Sequence, residues 1–544
     1  MSRTAIVAGV AALTVSAAVL LPLPAQSSAP VQPPRMPSFA GDVVIPPEGT
    51  PKTKMPWDVK PRGSTTYKSG VYDVHVLVVD TDDGPAPWDE AEARRQIGLL
   101  DSMFDAETDG KFRFRLSSFQ LLPPYPGRLC GSPDALAHAA PEVGAITLTP
   151  GATDALPVVV GRWPDTCAAA GQAQLGSPGA WVSDDPNWEA FSTKVLIHEI
   201  GHNLGLIHSG AMPEVFTGDP WPSVIQPPIA EEYGDGSDIM GGGGQYSCGF
   251  VTCTFNLSGL HGHNRNVLQG VSAEGISFVA MPPAADAGQL VNLVAEESGE
   301  TGVQLYYLPW RNRSMFLIEY RPAIGQDRHI ADQGGPGAGV HVRLVGSRVS
   351  AGPPPYPEQS MERTGTVAFP AGKPADEYAH IPIAFGAGQP LTLPDGTTVE
   401  VVSAVGSQAS VRVVRQPDVT APTMSPPRIE YAGGACTRYP CTVPASVAKK
   451  GKYRVLVDFG SYDDNQWVAF ARVDINGAGV MEYQRPDPDG TDEATPLTSG
   501  QRGWGMWKTY GPGTLNLTYT YRDLAGNEST STYQVVLPKP KGRR

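Results

Sequence analysis

Between residues 70 and 205 the apolar positions change repeatedly between the two-residue period of a strand and the wider spacing of a helix. Residues 89–104 carry apolar side chains at helical spacing, and a second helix is predicted to begin near Asn187. Four segments have the apolar runs or alternation of strands: residues 71–80, 112–121, 156–160 and 180–183, the last predicted at a sheet edge. Strands mixed with helices predict an α/β domain over residues 67–275.

The pattern changes after residue 276, where short strand-like runs are separated by Gly/Pro turns. These runs cover residues 303–308, 314–320, 339–344, 398–402 and 410–414 and predict a β-rich domain over 276–416. A Pro-containing linker follows at 417–427. Further alternating strands at 453–459, 467–475, 514–522 and 532–536 predict an immunoglobulin-like β-sandwich over 422–540. The predicted fold class is therefore multidomain.

The first 66 residues do not have the pattern of a packed domain. Arg3, the apolar run 5–21 and the small residues that follow predict a secretory signal peptide over 1–29, with a membrane anchor as the alternative. Residues 30–66 are rich in Pro and predict a linker or a short pro-segment. The expected location is secreted and extracellular, with no stable membrane insertion after the signal is removed.

Charge and cysteine content fit this location. The net charge of −14 argues against nucleic acid or an anionic membrane as the main partner. Six cysteines in an exported chain predict disulfides, and pairing of neighbours would join Cys130 to Cys167, Cys248 to Cys253 and Cys436 to Cys441. Fifteen connectivities remain open. A cysteine zinc cluster is the alternative, but the sequence contains no C-x-x-C spacing.

The residues with the clearest chemistry lie in the segment 198–208, HEIGHNLGLIH. His198 and His202 are four positions apart, so on a helix both imidazoles leave the same face and can reach one ion. Glu199 projects beside them, where it is placed to bind a water. Gly205 allows a left-handed helix end that returns His208 as a third ligand. Three histidines and an open position predict a catalytic zinc site; a core helix that bears histidines is the alternative.

This H-E-x-x-H-x-x-G-x-x-H pattern resembles the signature of the metzincin metalloproteases. HEIGHNLGLIHS, followed by YGDGSDIMGG, looks most like the gametolysin-type branch. The resemblance implies a twisted mixed sheet with a zinc helix in residues 67–275. It also implies that Met240 supports the histidines from below without binding the metal; an ordinary loop methionine is the alternative. The segment FLIEYRPAIGQD (316–327) loosely resembles a stretch of other secreted metalloproteases, and no role follows for its residues.

The predicted function is a secreted zinc endopeptidase that hydrolyses extracellular or cell-wall proteins, with Glu199 as the general base for the attacking water. A protein or peptide substrate is expected to lie beside the edge strand at 180–183. The alternative is an adhesion or wall-binding protein that uses a zincin-like scaffold and the C-terminal β modules. Since related metzincins often carry structural calcium, acidic clusters are further candidates, with solvated turns as their alternative: Asp80, Asp82 and Asp83; Asp184 and Asp185; Asp463 and Asp464. The oligomeric state is left open.

Overall fold

A computed structural model of the chain describes part of its 544 residues. The described residues are 69–127, 138–147, 154–162, 170–173, 179–184, 189–206, 208–212, 214, 231, 233–243, 245–248, 253–256, 259–268, 275–278, 288–310, 315–332, 336–346, 365–373, 380–427, 429–458, 461–463, 468–484, 505–523 and 525–540. The predicted signal peptide and pro-segment lie outside these ranges, as do Cys130 and Cys167. The described part is mostly β-structure in several sheets, with few helices.

The first sheet has five strands in the order β2-β1-β3-β5-β4. Its strands are Gly70–Val79 (β1), Phe112–Leu121 (β2), Ala155–Arg162 (β3), Gly171–Ala173 (β4) and Ala180–Asp184 (β5). All are parallel except β4, which is antiparallel to β5. The prediction that residues 180–183 form an edge strand is wrong, because β5 pairs with β3 on one side and with β4 on the other. The edge is β4.

Helices cover both faces of this sheet, which explains why the second half of β1, residues 76–79, is a continuous run of buried apolar side chains. The α-helices in the described part of the chain are Glu90–Glu107 (α1), Ala140–Thr147 (α2), Glu189–Asn203 (α3) and Gly262–Val267 (α4). Val74, Val76 and Val78 of β1 pack with α1 and α3 in one core. Leu77 and Val79 point to the other face, where the partly buried Val143 of α2 packs against their core. The side chain of Asp89 caps α1 by accepting the N–H of Glu92.

Two further sheets share a second core. Seven strands form one sheet: Ser209–Ala211 (β6), Ile276–Phe278 (β9), Leu305–Pro309 (β11), Met315–Arg321 (β12), Gly339–Gly346 (β13), Gly365–Ala368 (β14) and Ala384–Phe385 (β15). Four form the other: Gln289–Val294 (β10), Pro390–Thr392 (β16), Thr398–Val405 (β17) and Gln408–Val414 (β18). Apolar side chains of both sheets meet in one cluster that includes Leu293, Phe316 and Val411. A short hairpin, Gln245–Cys248 (β7) and Cys253–Asn256 (β8), pairs separately.

The remaining strands build a third core. They are Thr423–Ser425 (β19), Ile429–Tyr431 (β20), Gly434–Cys436 (β21), Cys441–Thr442 (β22), Tyr453–Asp458 (β23), Ser461–Asp463 (β24), Val468–Ile475 (β25), Ala478–Gln484 (β26), Gly505–Tyr510 (β27), Gly513–Asp523 (β28) and Glu528–Leu537 (β29). A four-stranded and a five-stranded sheet contribute to this core. Cys436 and Cys441 form a disulfide beside it, as predicted. The immunoglobulin-like assignment and the domain limits stay predictions.

Candidate metal centre

Helix α3 brings the first two histidines and the glutamate to the interior of the molecule. His198 and Glu199 are fully buried, and His202 is 1% exposed. Val195, Ile197 and Ile200 of the same helix pack in the first core, which fixes the rotation of α3 about its axis. Their four-residue spacing places the imidazoles of His198 and His202 on one face of the helix, 4.7 Å apart between ring centroids.

The C-terminus of α3 is closed by a Schellman motif centred on Gly205. The N–H of Leu206 donates to the carbonyl of Gly201 at 2.9 Å, and the N–H of Gly205 donates to the carbonyl of His202 at 2.9 Å. Gly205 has a φ of +96°, in the region that a side chain disfavours. The chain therefore turns back at the position where the motif predicts a turn, and His208 follows.

The turn places His208 beside the other two histidines. Its ring centroid lies 5.2 Å from that of His198 and 4.8 Å from that of His202. The Nε2 atoms of His202 and His208 are 3.0 Å apart. One ligand nitrogen from each of the three rings lies within 4.8 Å of the others, so the cluster can bind a metal ion.

Hydrogen bonds orient two of these rings. Nδ1 of His198 lies 2.9 Å from the carbonyl oxygen of Ile239, and Nδ1 of His202 lies 2.8 Å from that of Leu206. A carbonyl oxygen only accepts, so in both rings Nδ1 carries the proton and Nε2 keeps the lone pair. This is the arrangement by which metal-binding histidines are usually held.

Burial keeps the imidazoles of His198 and His208 neutral. It is the main cause that lowers the pKa of His198 well below its ordinary value, with His202 adding to the effect. Burial likewise lowers the pKa of His208 to about 3, and Lys194 contributes. A metal binds only the neutral ring, so at these two residues protons do not compete with a metal near neutral pH.

Met240 lies against the helix at the level of the histidines. Its side chain is fully buried. A Cβ atom added to Gly201 would come within 2.4 Å of the Met240 sulfur, so the glycine makes room for it. The backbone at residues 239 and 240 contacts the histidine segment as well: the carbonyl of Ile239 accepts from His198, and the carbonyl of Met240 accepts the N–H of Ser209, the residue after His208, at 3.0 Å.

Strand β4 closes one side of the site next to Glu199. A Cβ atom on Gly171 would lie 2.7 Å from Oε1 of Glu199 and 2.6 Å from a methyl group of Val195. The sequence-based interpretation did not identify Gly171 or β4. The Ser183 N–H donates to the Ala170 carbonyl, so 170/183 and 172/181 are the hydrogen-bonded pairs. The backbone groups of Gly171 and Ala173 consequently face away from β5.

Tyr233 is a second residue that the sequence did not single out. Its hydroxyl lies 3.1 Å from Nε2 of His208, and the two rings are 4.4 Å apart between centroids. Tyr233 precedes Met240 by seven positions. Only the fold of loop 233–241 brings it to the histidines.

The structure gives less information on the predicted calcium sites and on the two other predicted disulfides. Among the residues that the structure describes, the three histidines are the only group of at least three His, Cys, Asp or Glu side chains whose ligand atoms converge. Asp184 accepts hydrogen bonds from the Trp88 indole and the Ser192 hydroxyl, while Asp185 and Asp464 lie outside the described residues. The backbone register sets Cys248 opposite Cys253. Structural calcium and the two other disulfides stay predictions.

Comparison with known proteins does not assign the chain to a family. No protein-family model and no curated protein matches the chain. Among solved structures, metalloproteinase-II from Bacteroides fragilis is 16% identical over 26% of this chain and 44% of its own, with a TM-score of 0.21. A chaperone–substrate complex is 15% identical over 26% of each chain, with a TM-score of 0.18. The chain thus spans less than half of these two. OgpA from Akkermansia muciniphila is 10% identical over 86% of this chain and 92% of its own, with a TM-score of 0.22. These scores are too low to assign a fold or a function.

Proposed function

We propose that the chain is a secreted zinc-dependent endopeptidase of the metzincin type, close to the gametolysin-like branch. The observation that carries this proposal is the gathering of three buried imidazoles around one point, with the carboxylate of Glu199 beside them on the helix of His198 and His202. The sheet supports the metzincin assignment as well, since its four parallel strands end in an antiparallel edge strand next to α3.

The donor set fits zinc. Zinc bonds to imidazole nitrogen at about 2.0–2.1 Å, so two ligand nitrogens of a tetrahedral ion are about 3.3 Å apart. The separation of 3.0 Å between Nε2 of His202 and Nε2 of His208 is close to this value. When bound, zinc would act as a Lewis acid that increases the acidity of water and polarises a peptide carbonyl. His198, His202 and His208 would hold it.

Glu199 supplies the proton transfers. Its carboxylate takes a proton from the attacking water as the water oxygen bonds to the carbonyl carbon of the substrate. The same group then gives that proton to the amide nitrogen while the carbon–nitrogen bond breaks. Its burial at the end of the helix next to strand β4 holds the carboxylate close to the three histidines.

The substrate is proposed to pair with β4, and not with residues 180–183. Gly171 and Ala173 direct their backbone groups away from β5, which is the arrangement that lets an extended peptide add a strand. The close approach of Gly171 to Glu199 would place a peptide bond of that strand near the base.

Export and the wider role belong to the same proposal. The sequence of residues 1–29 supports secretion, and the disulfide Cys436–Cys441 is consistent with an oxidising compartment. No helix among the described residues is long and apolar enough to cross a membrane. The proposed substrates are extracellular or cell-wall proteins, and the immunoglobulin-like module serves as scaffold or as a wall-binding unit.

The test is a Glu199→Gln variant, compared with the parent and with Glu90→Gln on the exposed face of α1. Zinc content by metal analysis is expected to match the parent, because Glu199 is not a ligand. Cleavage of a peptide library is expected to fall by about 10²–10⁴-fold, the usual contribution of a general base. Undiminished turnover in the Glu199→Gln protein, or parent activity that survives 1,10-phenanthroline, would contradict the proposal.

If the zinc-loaded parent cuts no protein substrate, this result would favour the alternative function, an adhesion or wall-binding protein. If its C-terminal half still bound a wall polymer in that case, an adhesion protein with a zincin-like scaffold would be the better account.

A further inference from the structure

Two neighbouring strands of the seven-stranded sheet carry buried charged and polar side chains on one face. Glu319 and Arg321 on β12 and His341 and Arg343 on β13 are at most 4% exposed, and we call these four residues the platform. The register pairs Glu319 with His341, so the alternate residues of both strands share this face. Phe316, Ile318 and Tyr320 point the other way, into the second core. Charges are rarely buried without a purpose or a partner.

The platform lies against residues 233–241, which we call the methionine loop. Arg343 reaches the loop at two residues: it forms an ion pair with Asp235 and donates to Oγ of Ser237 at 2.8 Å. It also donates to Oε1 of Glu319 at 2.6 Å. Three nitrogens of one guanidinium thus hold three different oxygens, a geometry that lysine cannot reproduce.

Arg321 makes a second connection. It forms a two-pronged ion pair with Asp327 and donates to Oγ of Ser237 at 3.2 Å. The Ser237 hydroxyl in turn donates to Oδ1 of Asp235 at 2.7 Å. Glu319 accepts the N–H of Gly262, at the start of α4, with its other oxygen at 2.7 Å. The segment 316–327, whose role the sequence left open, therefore supplies Glu319, Arg321 and Asp327 to this network.

The network leads from the platform to the histidines within a few residues. In the methionine loop, Asp238 accepts the N–H of Met240 at 2.6 Å. Ile239 accepts from the ring of His198, and Met240 packs against Gly201. His208 is tied to the same sheet, because β6 begins at the next residue and pairs with β14. Two of the three histidines are thus held by backbone that the seven-stranded sheet fixes.

The charges of the platform are mutually satisfied. Burial alone would raise the pKa of Glu319, but Arg343 and Arg321 lower it to about 2, so this carboxylate is ionised. Burial and Arg343 lower the pKa of His341 to about 3, which keeps this ring neutral. Removal of Arg343 would leave the carboxylates of Asp235 and Glu319 close together without their shared cation. The methionine loop could then no longer hold Asp235 in its present place.

We infer that Arg343 is a positioning residue of the metal site, and that the seven-stranded sheet is part of the catalytic unit. Arg343 holds the methionine loop through Asp235 and Ser237, and the loop orients His198 and places Met240. This inference rests on the proposed function, since it assigns the platform to the same three-histidine site. It predicts that residues beyond 276 determine metal affinity although none of them is a ligand.

The test compares Arg343→Gln and Arg343→Lys with the parent in the full chain. We expect Arg343→Gln to weaken zinc binding, measured against a competing chelator, by about tenfold or more. The visible absorption spectrum of the cobalt-substituted protein should change, because its bands report ligand geometry. At saturating zinc, kcat should fall while KM stays within about twofold. Arg343→Lys keeps the positive charge but loses the planar guanidinium group that bonds three oxygens at once. Its zinc affinity and kcat should therefore lie between those of the parent and of Arg343→Gln.

The matched control is Arg415→Gln. Arg415 is also a buried arginine, and its ion pair with Asp395 lies outside the methionine loop. The Arg415→Gln variant should be less stable than the parent, but its cobalt spectrum and its zinc affinity should be those of the parent. A folded Arg343→Gln protein with the spectrum, zinc affinity and kcat of the parent would overturn the inference.

If the Arg343→Gln protein does not fold, the Ser237→Ala variant tests the inference instead. This change removes the hydroxyl that both arginines share but leaves the ion pairs of Arg343 with Asp235 and Glu319. It is expected to shift the cobalt spectrum and to lower zinc affinity by about threefold or more; an unchanged spectrum and affinity would overturn the inference. Zinc affinity and the spectrum need no peptide substrate. They therefore judge the positioning role even where the parent cleaves nothing and the proposed endopeptidase function fails.

Discussion

At the scale of single residues, the space around Glu199 is set by a glycine on the neighbouring strand. Substitution of Gly171 by Ala would place a methyl group 2.7 Å from Oε1 and 2.8 Å from Cγ of Glu199. The carboxylate must move to relieve this contact. We expect kcat for peptide cleavage to fall by about tenfold or more, because proton transfer depends on position. Zinc affinity should stay that of the parent, since no ligand is touched.

Gly98→Ala is the control for this prediction. A Cβ atom at Gly98 meets nothing within 4 Å, and the residue lies inside α1. The same change should leave kcat alone and stabilise the helix by about 0.5–1 kcal/mol. If Gly171→Ala has the kcat of the parent, Glu199 is not confined as described.

The residues of the site differ in how far the sequence could reveal them. His198, Glu199, His202, Gly205 and His208 lie within eleven positions, and the geometry of one helix and one turn relates them. Tyr233 and Gly171 lie on other elements, and nothing in their local sequence distinguishes them from a loop tyrosine or a strand glycine. Their contacts with His208 and Glu199 arise only when the loop and the strand are packed.

At the scale of elements, the edge strand β4 is predicted to bind the substrate. The variant Ala173→Pro removes an N–H that faces away from β5, so the pairing of β4 with β5 is kept while one donor for the peptide is lost. We expect KM to rise by about tenfold, a loss close to that of one hydrogen bond, with zinc content unchanged. The melting temperature of the variant, measured beside that of the parent, separates this effect from local unfolding. An unchanged KM in a stable variant would place the substrate elsewhere.

Element length explains which strands the sequence could predict. The strands β1, β2 and β28 have ten residues or more and show either a long apolar run or a clear alternation. By contrast, β4 and β6 have three residues each, too few to show a period. The wrong prediction of an edge at residues 180–183 follows from this, because β4, the strand that covers that edge, could not be recognised.

At the scale of the whole molecule, contacts between residues far apart in the chain combine the parts into one site. Arg343 and Asp235 are separated by 108 positions, and Thr366 and Ser209 by 157. Hydrophobic periodicity carries no information about such pairs. The sequence therefore indicated the β-rich region and drew attention to residues 316–327, but it could not show that these residues hold the methionine loop.

A second buried charge cluster gives the whole molecule a pH-dependent stability. Glu296 and Glu107, which lie in different parts of the chain, both form ion pairs with the buried Arg265, at 3.2 and 3.5 Å. Burial raises the pKa of Glu296 to about 8 and that of Glu297 to about 7. The folded protein consequently binds more protons than the unfolded chain between about pH 4.5 and pH 8, and these groups make the free energy of unfolding decrease as pH rises through that window.

Glu296→Gln should flatten this dependence. Glutamine resembles the protonated acid, so we expect the variant to match the parent near pH 5 and to exceed its unfolding free energy near pH 8. Parent and variant should both be metal-free, because metal binding to the histidines would add a pH dependence of its own. In both proteins His208 titrates in the opposite sense: burial lowers its pKa to about 3, so it costs stability as pH falls below about 6.5. The measurement is chemical denaturation at pH 5, 6, 7 and 8, with Glu528→Gln at the exposed start of β29 as the control. Equal slopes with pH for the parent and Glu296→Gln would mean that Glu296 is ionised in the folded protein throughout this range, with Arg265 compensating its burial in full.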